Sequence, residues 1–330
     1  MSATLHITNG DIAADLLRRS HVSGDFLPWR DALHEGPAPS GLAPDALSRR
    51  RAEFISGAGW APAGDVRKMF EERAAALAVP ARDEVVLWFE HDLYDQLQLL
   101  QIIDLYADRL PPRFTLIEIG EFPGIAKFMG LGQLSPSQLA SLYPGRRPIT
   151  PEMIALARSA WAAYRSADPG DLKAILRTET FSLPFLQDAV LRHLEEFPSV
   201  ENGVGRTERQ LLNAATDDRT LLHLFNASQR QEERAYISDT VMKWRVRLLS
   251  GGNTPLLTGR SRRLAFDLSD AAFWSQEVVL TPAGRAVVDE KEDAIRLGGI
   301  DRWFGGVHLT GREPRWRWSQ RERRLIDASV

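Results

Sequence analysis

The chain contains no cysteine in its 330 residues, which excludes disulfides, thiolate zinc sites and a cysteine nucleophile. It also has no uninterrupted apolar run of the roughly 18 residues that a membrane-spanning helix needs. The N-terminus runs straight into a strand and lacks the basic and apolar regions of a signal peptide, so a soluble, cytoplasmic protein is expected. A surplus of one charge sign is missing as well. The formal net charge is −3, and residues 201–330 carry 21 Lys/Arg against 18 Asp/Glu, while residues 1–200 carry 20 against 26. The C-terminal part is only mildly basic, short of the pattern that by itself marks a nucleic-acid-binding domain. Neither G-x-G-x-x-G nor G-K-[ST] occurs, and no H-x-H or H-E-x-x-H spacing is present. The sequence therefore assigns no residue to a metal and indicates no particular cofactor. What it does contain is ordinary globular material, 44% hydrophobic and 26% charged. The length suggests two or three domains.

Apolar runs followed by helical segments dominate the first part. Thr4–Thr8, Asp25–Trp29, Glu84–Phe89 and Phe114–Ile119 read as strands, and Ile12–Arg19, Pro44 to about Ala78 and Leu93–Asp108 read as helical. Such alternation predicts an α/β fold: a three-layer N-terminal domain over residues 1–145 with a mainly parallel sheet. The proline-rich stretch Tyr143–Pro151 opens a helical connecting segment, residues 146–200, in which Pro151 takes the first helical position. Residues 201–330 hold three helices, from Arg206, near Thr220–Ala227 and over Ile237–Leu249, the first with Thr207 as candidate cap. Short strands at Leu264–Leu268 and Glu277–Leu280 and the helix start Leu280–Val287 follow. This order resembles the winged-helix domains of many bacterial regulators.

Three strand ends carry polar clusters. After the first, Asn9, Gly10 and Asp11 open a helix whose free N–H groups suit an anion. After the second come Arg30 and Asp31, then His34 and Glu35; an arginine can clamp a carboxylate or phosphate, and a histidine titrates near neutral pH. After the third, Glu90, His91 and Asp92 stand in a row at the junction to a helix carrying Asp95 and Gln96. In a parallel sheet these ends share one edge, where open α/β sheets place ligands. Glu90, His91, Asp92 and His34 are the catalytic candidates; Asn9, Gly10, Asp11, Arg30, Asp31, Glu35, Asp95 and Gln96 are the substrate-binding candidates. The bland alternatives are that Asp92 and Asp11 merely cap helices, that Glu90 and His91 are solvated loop residues, and that Arg30 and Asp31 form a surface ion pair beside an exposed His34. His6 lies on the opposite strand face from Leu5 and Ile7 and reads as structural. Trp316 and Trp318, alternating with Arg315 and Arg317, read as an edge strand with one packed aromatic face.

The motifs LHITNGD, LPWRDALHEGP, LWFEHDLYDQLQLLQ and GGIDRWFGGVHL, in that order along most of the chain, resemble an uncharacterised bacterial family. Its members pair an N-terminal domain of unknown function with a C-terminal domain of unknown function. The resemblance supports the domain plan and supplies no mechanism.

Two functional readings follow. The preferred one is an enzyme that acts on a small polar or phosphorylated metabolite by acid/base chemistry at the strand ends. The alternative is a DNA-binding regulator with an N-terminal sensing domain, using Lys243, Arg245 and Arg247 of the third C-terminal helix. The expected partner is a small-molecule ligand; nucleic acid is less favoured, no membrane is expected, and a homodimer is compatible with either reading.

Overall fold

The computed structural model describes residues 4–79, 82–216 and 219–329. The chain forms two compact units: residues up to Val190 together with Gly305–Val307, and Leu191–Phe304 together with the residues from His308 onward. The expected connecting segment, 146–200, is thus divided between them, its larger part belonging to the first unit.

The first unit follows the order β1 (Thr4–Thr8), α1 (Asp11–Arg18), β2 (Asp25–Pro28), β3 (Gly36–Pro37), α2 (Pro44–Gly57), α3 (Ala63–Leu77), β4 (Glu84–Glu90) and α4 (Leu93–Tyr106). It continues through β5 (Arg113–Ile119), α5 (Pro136–Leu142), β6 (Arg147–Pro148), α6 (Pro151–Arg165), α7 (Gly170–Ile175) and α8 (Leu186–Leu194), whose residues from Leu191 onward belong to the second unit. Five strands make one sheet in the order β2-β1-β4-β5-β6. All neighbours are parallel except β5 and β6, which are antiparallel. The fold is α/β with a mainly parallel sheet. All seven residues of β4 are buried, as a strand covered on both faces requires. Val86 and Trp88 pack with Leu16 and Leu17 of α1 and Leu139 of α5 in one core. Val85, Leu87 and Phe89 have the opposite parity and are equally inaccessible.

The strand order reverses between β1 and β4. The chain crosses from β1 to β2 on one side, then returns to lay β4 on the other. At such a switch point the connections leave in opposite directions and open a crevice beyond the carboxyl ends of the strands. Asn9 and Glu90 stand at those two ends.

The loop after β2 is held from below by a buried guanidinium. Arg51 of α2 donates to Asp31 Oδ1 at 3.0 and 2.8 Å and to the carbonyls of Glu35 (2.5 Å) and Ala32 (3.0 Å). Asp31 is therefore occupied structurally, and it does not pair with Arg30 as the sequence alternative supposed; both Asp31 and Arg51 are inaccessible to solvent. His6 is likewise structural: its ring stacks on Phe26 and its Nδ1 accepts from the Trp88 indole at 3.1 Å.

The second unit runs α9 (Arg206–Ala214), β7 (Arg219–Thr220), α10 (Leu221–Arg230), α11 (Asp239–Ser250), β8 (Leu257–Gly259), α12 (Asp270–Trp274), β9 (Glu277–Leu280), α13 (Pro282–Val288) and α14 (Ala294–Gly298). Then come β10 (Ile300–Gly305), β11 (Val307–Gly311), β12 (Trp316–Ser319) and β13 (Arg324–Asp327). Strand β9 lies between β7 and β8, antiparallel to both. The strand expected at Leu264–Leu268 is absent, and the partner of β9 is Leu257–Gly259 instead. Ala265 has its N–H and carbonyl satisfied at 2.8 Å each by the side-chain amide of Gln276, which removes the need for a ladder there. Thr207 does not cap α9. Gly205 holds that position, with its N–H donating to Glu208, while the Thr207 hydroxyl donates to Glu196 at 2.6 Å. Trp316 and Trp318 are both buried in the β12–β13 hairpin.

Removing the Arg51 side chain should strand a buried carboxylate and unpin the β2 loop. Arg51→Ala is expected to cost about 3–5 kcal/mol in urea denaturation, against less than about 0.5 kcal/mol for Arg50→Ala on the exposed face. Equal midpoints for the two variants would contradict this role.

Candidate functional site

Asn9, Glu90, Asp92 and Asp95 meet at the switch point. Helix α4 starts at Leu93 because Asp92 adopts an extended conformation and its Oδ1 accepts the Asp95 N–H at 2.9 Å. The capping alternative for Asp92 is thus realised, and it places Asp95 one turn back over the end of β4. Asp95 Oδ1 accepts the Glu90 N–H at 2.8 Å, and its Oδ2 accepts from Asn9 Nδ2 at 2.9 Å. The same amide nitrogen reaches Glu90 Oε1 at 3.2 Å. A single asparagine therefore bridges two carboxyl groups. Oxygens of Glu90, Asp92 and Asp95 all lie within 4.8 Å of one another, and all three residues are buried.

Three carboxyl groups packed this closely out of water cannot all be ionised without a cation between them; otherwise at least one keeps its proton. Burial, reinforced by Asp92, pushes the Glu90 carboxyl up to about 8, against the opposing bonds from Leu131 and Asn9. Burial, then Glu90 and Asp92, raises Asp95 well above the usual carboxylate range. The site consequently keeps a proton at neutral pH, and the pair Glu90–Asp95 titrates as one system. The same oxygens are close enough to share a divalent cation through hard ligands.

Sequence reasoning missed the roof of this cluster. Leu131 donates its N–H to Glu90 Oε1 at 2.5 Å. Gly130 precedes it with φ +146, and a methyl group there would lie 2.2 Å from Glu90 Oε2. Both the backbone conformation and the close approach demand glycine. The only signal was a glycine between two apolar stretches, in a chain with 24 of them. Tyr94 was also overlooked; its hydroxyl donates to the Asn9 carbonyl at 3.0 Å.

The remaining candidates stand further out. Gln96 donates to the Glu90 carbonyl at 2.8 Å and to Glu118 at 3.0 Å, so it supports the cluster from behind. His34 is buried with its ring edge-on to Tyr94, centroids 5.9 Å apart. His91 is buried against Phe128 and Phe185, at 5.9 and 5.8 Å. Glu35 is buried in the Arg51-pinned loop. Gly10 is the extended residue before α1. Asp11 does not cap α1; it receives Arg30 in a partly exposed bidentate ion pair. Arg30 holds that pair with φ +59, an uncommon conformation for a side-chain-bearing residue.

In the second unit, the basic set on α11 is not a row of free cations. Arg245 is inaccessible and donates to Glu196 at 2.6 Å and to Glu208 at 3.3 Å. Glu196 also receives Arg192 at 2.7 Å and Thr207, with Arg302 at 3.6 Å. Burial alone would raise the Glu196 carboxyl, but Arg245, Arg192 and Arg302 hold it well below the usual range. Lys243 pairs with Asp270, and Arg247 lies over the Phe266 ring. Arg245 as a phosphate contact is therefore corrected: it is a core ion-pair member.

No known family profile and no curated protein matches the chain. Among solved structures, it is similar to the DNA-binding, cleavage and re-ligation domain of Plasmodium falciparum topoisomerase II, with a TM-score of 0.43 at 10% identity over 86% of this chain and 48% of that one. The chain thus spans about half the length of that structure.

Two outcomes follow from the cluster. Glu90 has a folded-state pKa of about 8 against an ordinary 4.5, so the folded chain holds its proton more tightly than the unfolded chain. Its contribution to stability is complete below about pH 4.5 and is lost as pH rises through about 8. Melting temperatures from pH 5 to 9 should fall more steeply for wild type than for Glu90→Gln, and parallel curves would refute the assignment. Gly130→Ala should displace Glu90 and destabilise the fold by about 1–3 kcal/mol through strain at a special backbone position, read by urea midpoint.

Proposed function

We propose that the first unit is an enzyme performing acid/base chemistry on a small polar metabolite at the crevice between β1 and β4. The observation that supports this best is the buried triple carboxyl cluster, which Asn9 bridges at the sheet's switch point. A neutral carboxyl at physiological pH is a proton donor, and a neighbouring ionised one is an acceptor; environments that divide the two roles are how such pairs do acid/base work. Glu90 or Asp95 would hold the proton and Asp92 would receive one. Asn9 would orient both carboxyl groups, and His34 behind Tyr94 would act on the cluster indirectly.

The substrate class narrows on electrostatic grounds. Arg30, the expected phosphate clamp, is already engaged by Asp11, and three carboxyl groups repel a dianion. An uncharged or amine-bearing polar metabolite fits better than a phosphorylated one.

The test is a turnover screen of the full chain against small polar metabolites, read by mass spectrometry. Glu90→Gln and Asp95→Asn should each lose at least about 100-fold in rate while melting within a few degrees of wild type. Exposed Lys68→Ala should change nothing. Prior treatment with a chelator should leave the rate intact; loss of turnover there would replace the proton by a divalent cation. Full activity in both carboxyl variants would end the proposal.

The second reading, a winged-helix DNA binder, is supported by the order α9-β7-α10-α11-β8-β9 with β9 central. Burial of Arg245 and the pairing of Lys243 with Asp270 weaken it, leaving Arg247 as the exposed basic group of α11. A gel shift with mixed DNA fragments at low salt should show no retardation under the preferred reading. Salt-sensitive retardation, lost in Arg247→Ala, would favour the regulator.

A further inference from the structure

A second cavity in the first unit lies away from the carboxyl cluster. Its volume is about 320 Å³, within the range of small-molecule sites, and Trp29, Phe70, Arg73, Gln101, Trp161 and Arg165 contribute to its lining. It draws on the C-terminal half of α4, whereas Asp92 and Asp95 lie at that helix's start.

The wall of this cavity holds a positive charge with too little to balance it. Arg73 is 5% exposed. It donates to the Trp29 carbonyl and lies over the rings of Trp29 and Phe70, 4.1 and 4.6 Å from their centroids. Its carboxylate neighbour is Asp31, whose Oδ2 is 3.9 Å away, beyond hydrogen-bond reach, and Asp31 Oδ1 already serves Arg51 at 2.8 Å. One carboxylate thus stands beside two buried guanidinium groups. The Arg73 Nε–H is buried and has no acceptor among the described residues. Burial lowers Arg73 to about 10, the direction expected of a cation short of compensation. An orphaned buried donor on a cation is costly unless something supplies the acceptor. Arg165 uses Nε and Nη2 on the carbonyls of Pro39 and Leu42, leaving Nη1 for another acceptor. The acidic residues of the lining do not serve Arg73: Asp104 faces Arg158 at 3.7 Å and acts electrostatically on Arg165, and Asp45 is an exposed first-turn residue of α2.

We propose that this cavity binds a small planar organic acid, its carboxylate accepting from Arg165 and balancing the buried charge of Arg73, and its apolar body lying against Phe70, Leu77 and Trp161. A monocarboxylate supplies one negative charge and acceptor oxygens, which matches the uncompensated charge of Arg73 and the spare donor of Arg165. Flat rings suit a wall built of aromatic side chains and stacked guanidinium planes.

Sodium benzoate and its neutral isostere benzamide are suitable probes, titrated into the full chain with tryptophan fluorescence as readout, since Trp29 and Trp161 line the cavity. Benzoate should give a saturable change, and benzamide should bind at least about tenfold more weakly, the loss expected when a charge-assisted hydrogen bond becomes neutral. Arg165→Gln should weaken benzoate by a similar factor. Ala74→Phe, which fills the cavity from an exposed helix position and leaves both guanidinium groups in place, should abolish the change and decides the matter if Arg165→Gln fails to fold. An unsaturable benzoate titration, or equal affinities for benzoate and benzamide, would overturn the proposal. Because the carboxyl cluster takes no part, either result is independent of the acid/base reading.

Discussion

Strand β4 has every residue buried, and the rest of the first unit answers to that constraint. A strand covered on both faces has no solvent for polar side chains along its length, so polarity is driven to its end. At that end, Glu90 emerges into a space bounded by Asn9, Asp92, Asp95 and the Gly130–Leu131 backbone. Each of these groups satisfies another, and the arrangement leaves more carboxyl groups than the site can hold as anions. The resulting tension between desolvation and charge raises the Glu90 and Asp95 carboxyls above their usual range.

Buried ion pairs recur as the means of fixing loops and helices. Arg51 gathers Asp31 and two loop carbonyls in the first unit; Glu196 gathers Arg192, Arg245 and Arg302 in the second. Such pairs give weak net stability, because desolvation offsets most of the Coulombic gain, yet losing one partner is costly. Their effect is to choose one arrangement: Asp31 is turned inward while Arg30 is turned out to Asp11. Where the balance is left incomplete, at Arg73, a cavity lies alongside.

Much of the scaffold was legible from periodicity. The run Glu84–Phe89 and the polar junction after it marked the strand end that became the cluster and suggested Asp92 and Asp95, while the end of the first strand suggested Asn9. Pro151 at the first position of its helix was equally local. Less legible were contacts made across long separations. Gly130 lies 40 residues beyond Glu90 and carries no motif, so nothing in its neighbours announced that a methyl group there would collide with a carboxylate. The strand expected at Leu264–Leu268 failed because a side chain, Gln276, replaced the ladder.

The sequence by itself determined the alternation of strands and helices, the absence of thiol chemistry and the crowding of charge after β4, because these depend on residue type and short-range spacing. Tertiary structure alone decided which of those charges meet. Asp31, Asp11 and Arg245 were as polar on paper as Asp95, yet Arg51, Arg30 and Glu196 occupy them. Asp95 was instead turned back onto Glu90 by a helix start, where no cation among the described residues compensates it. Charge composition is local, but compensation of charge is a property of the folded neighbourhood, and that neighbourhood separates a structural ion pair from a carboxyl held above its usual range.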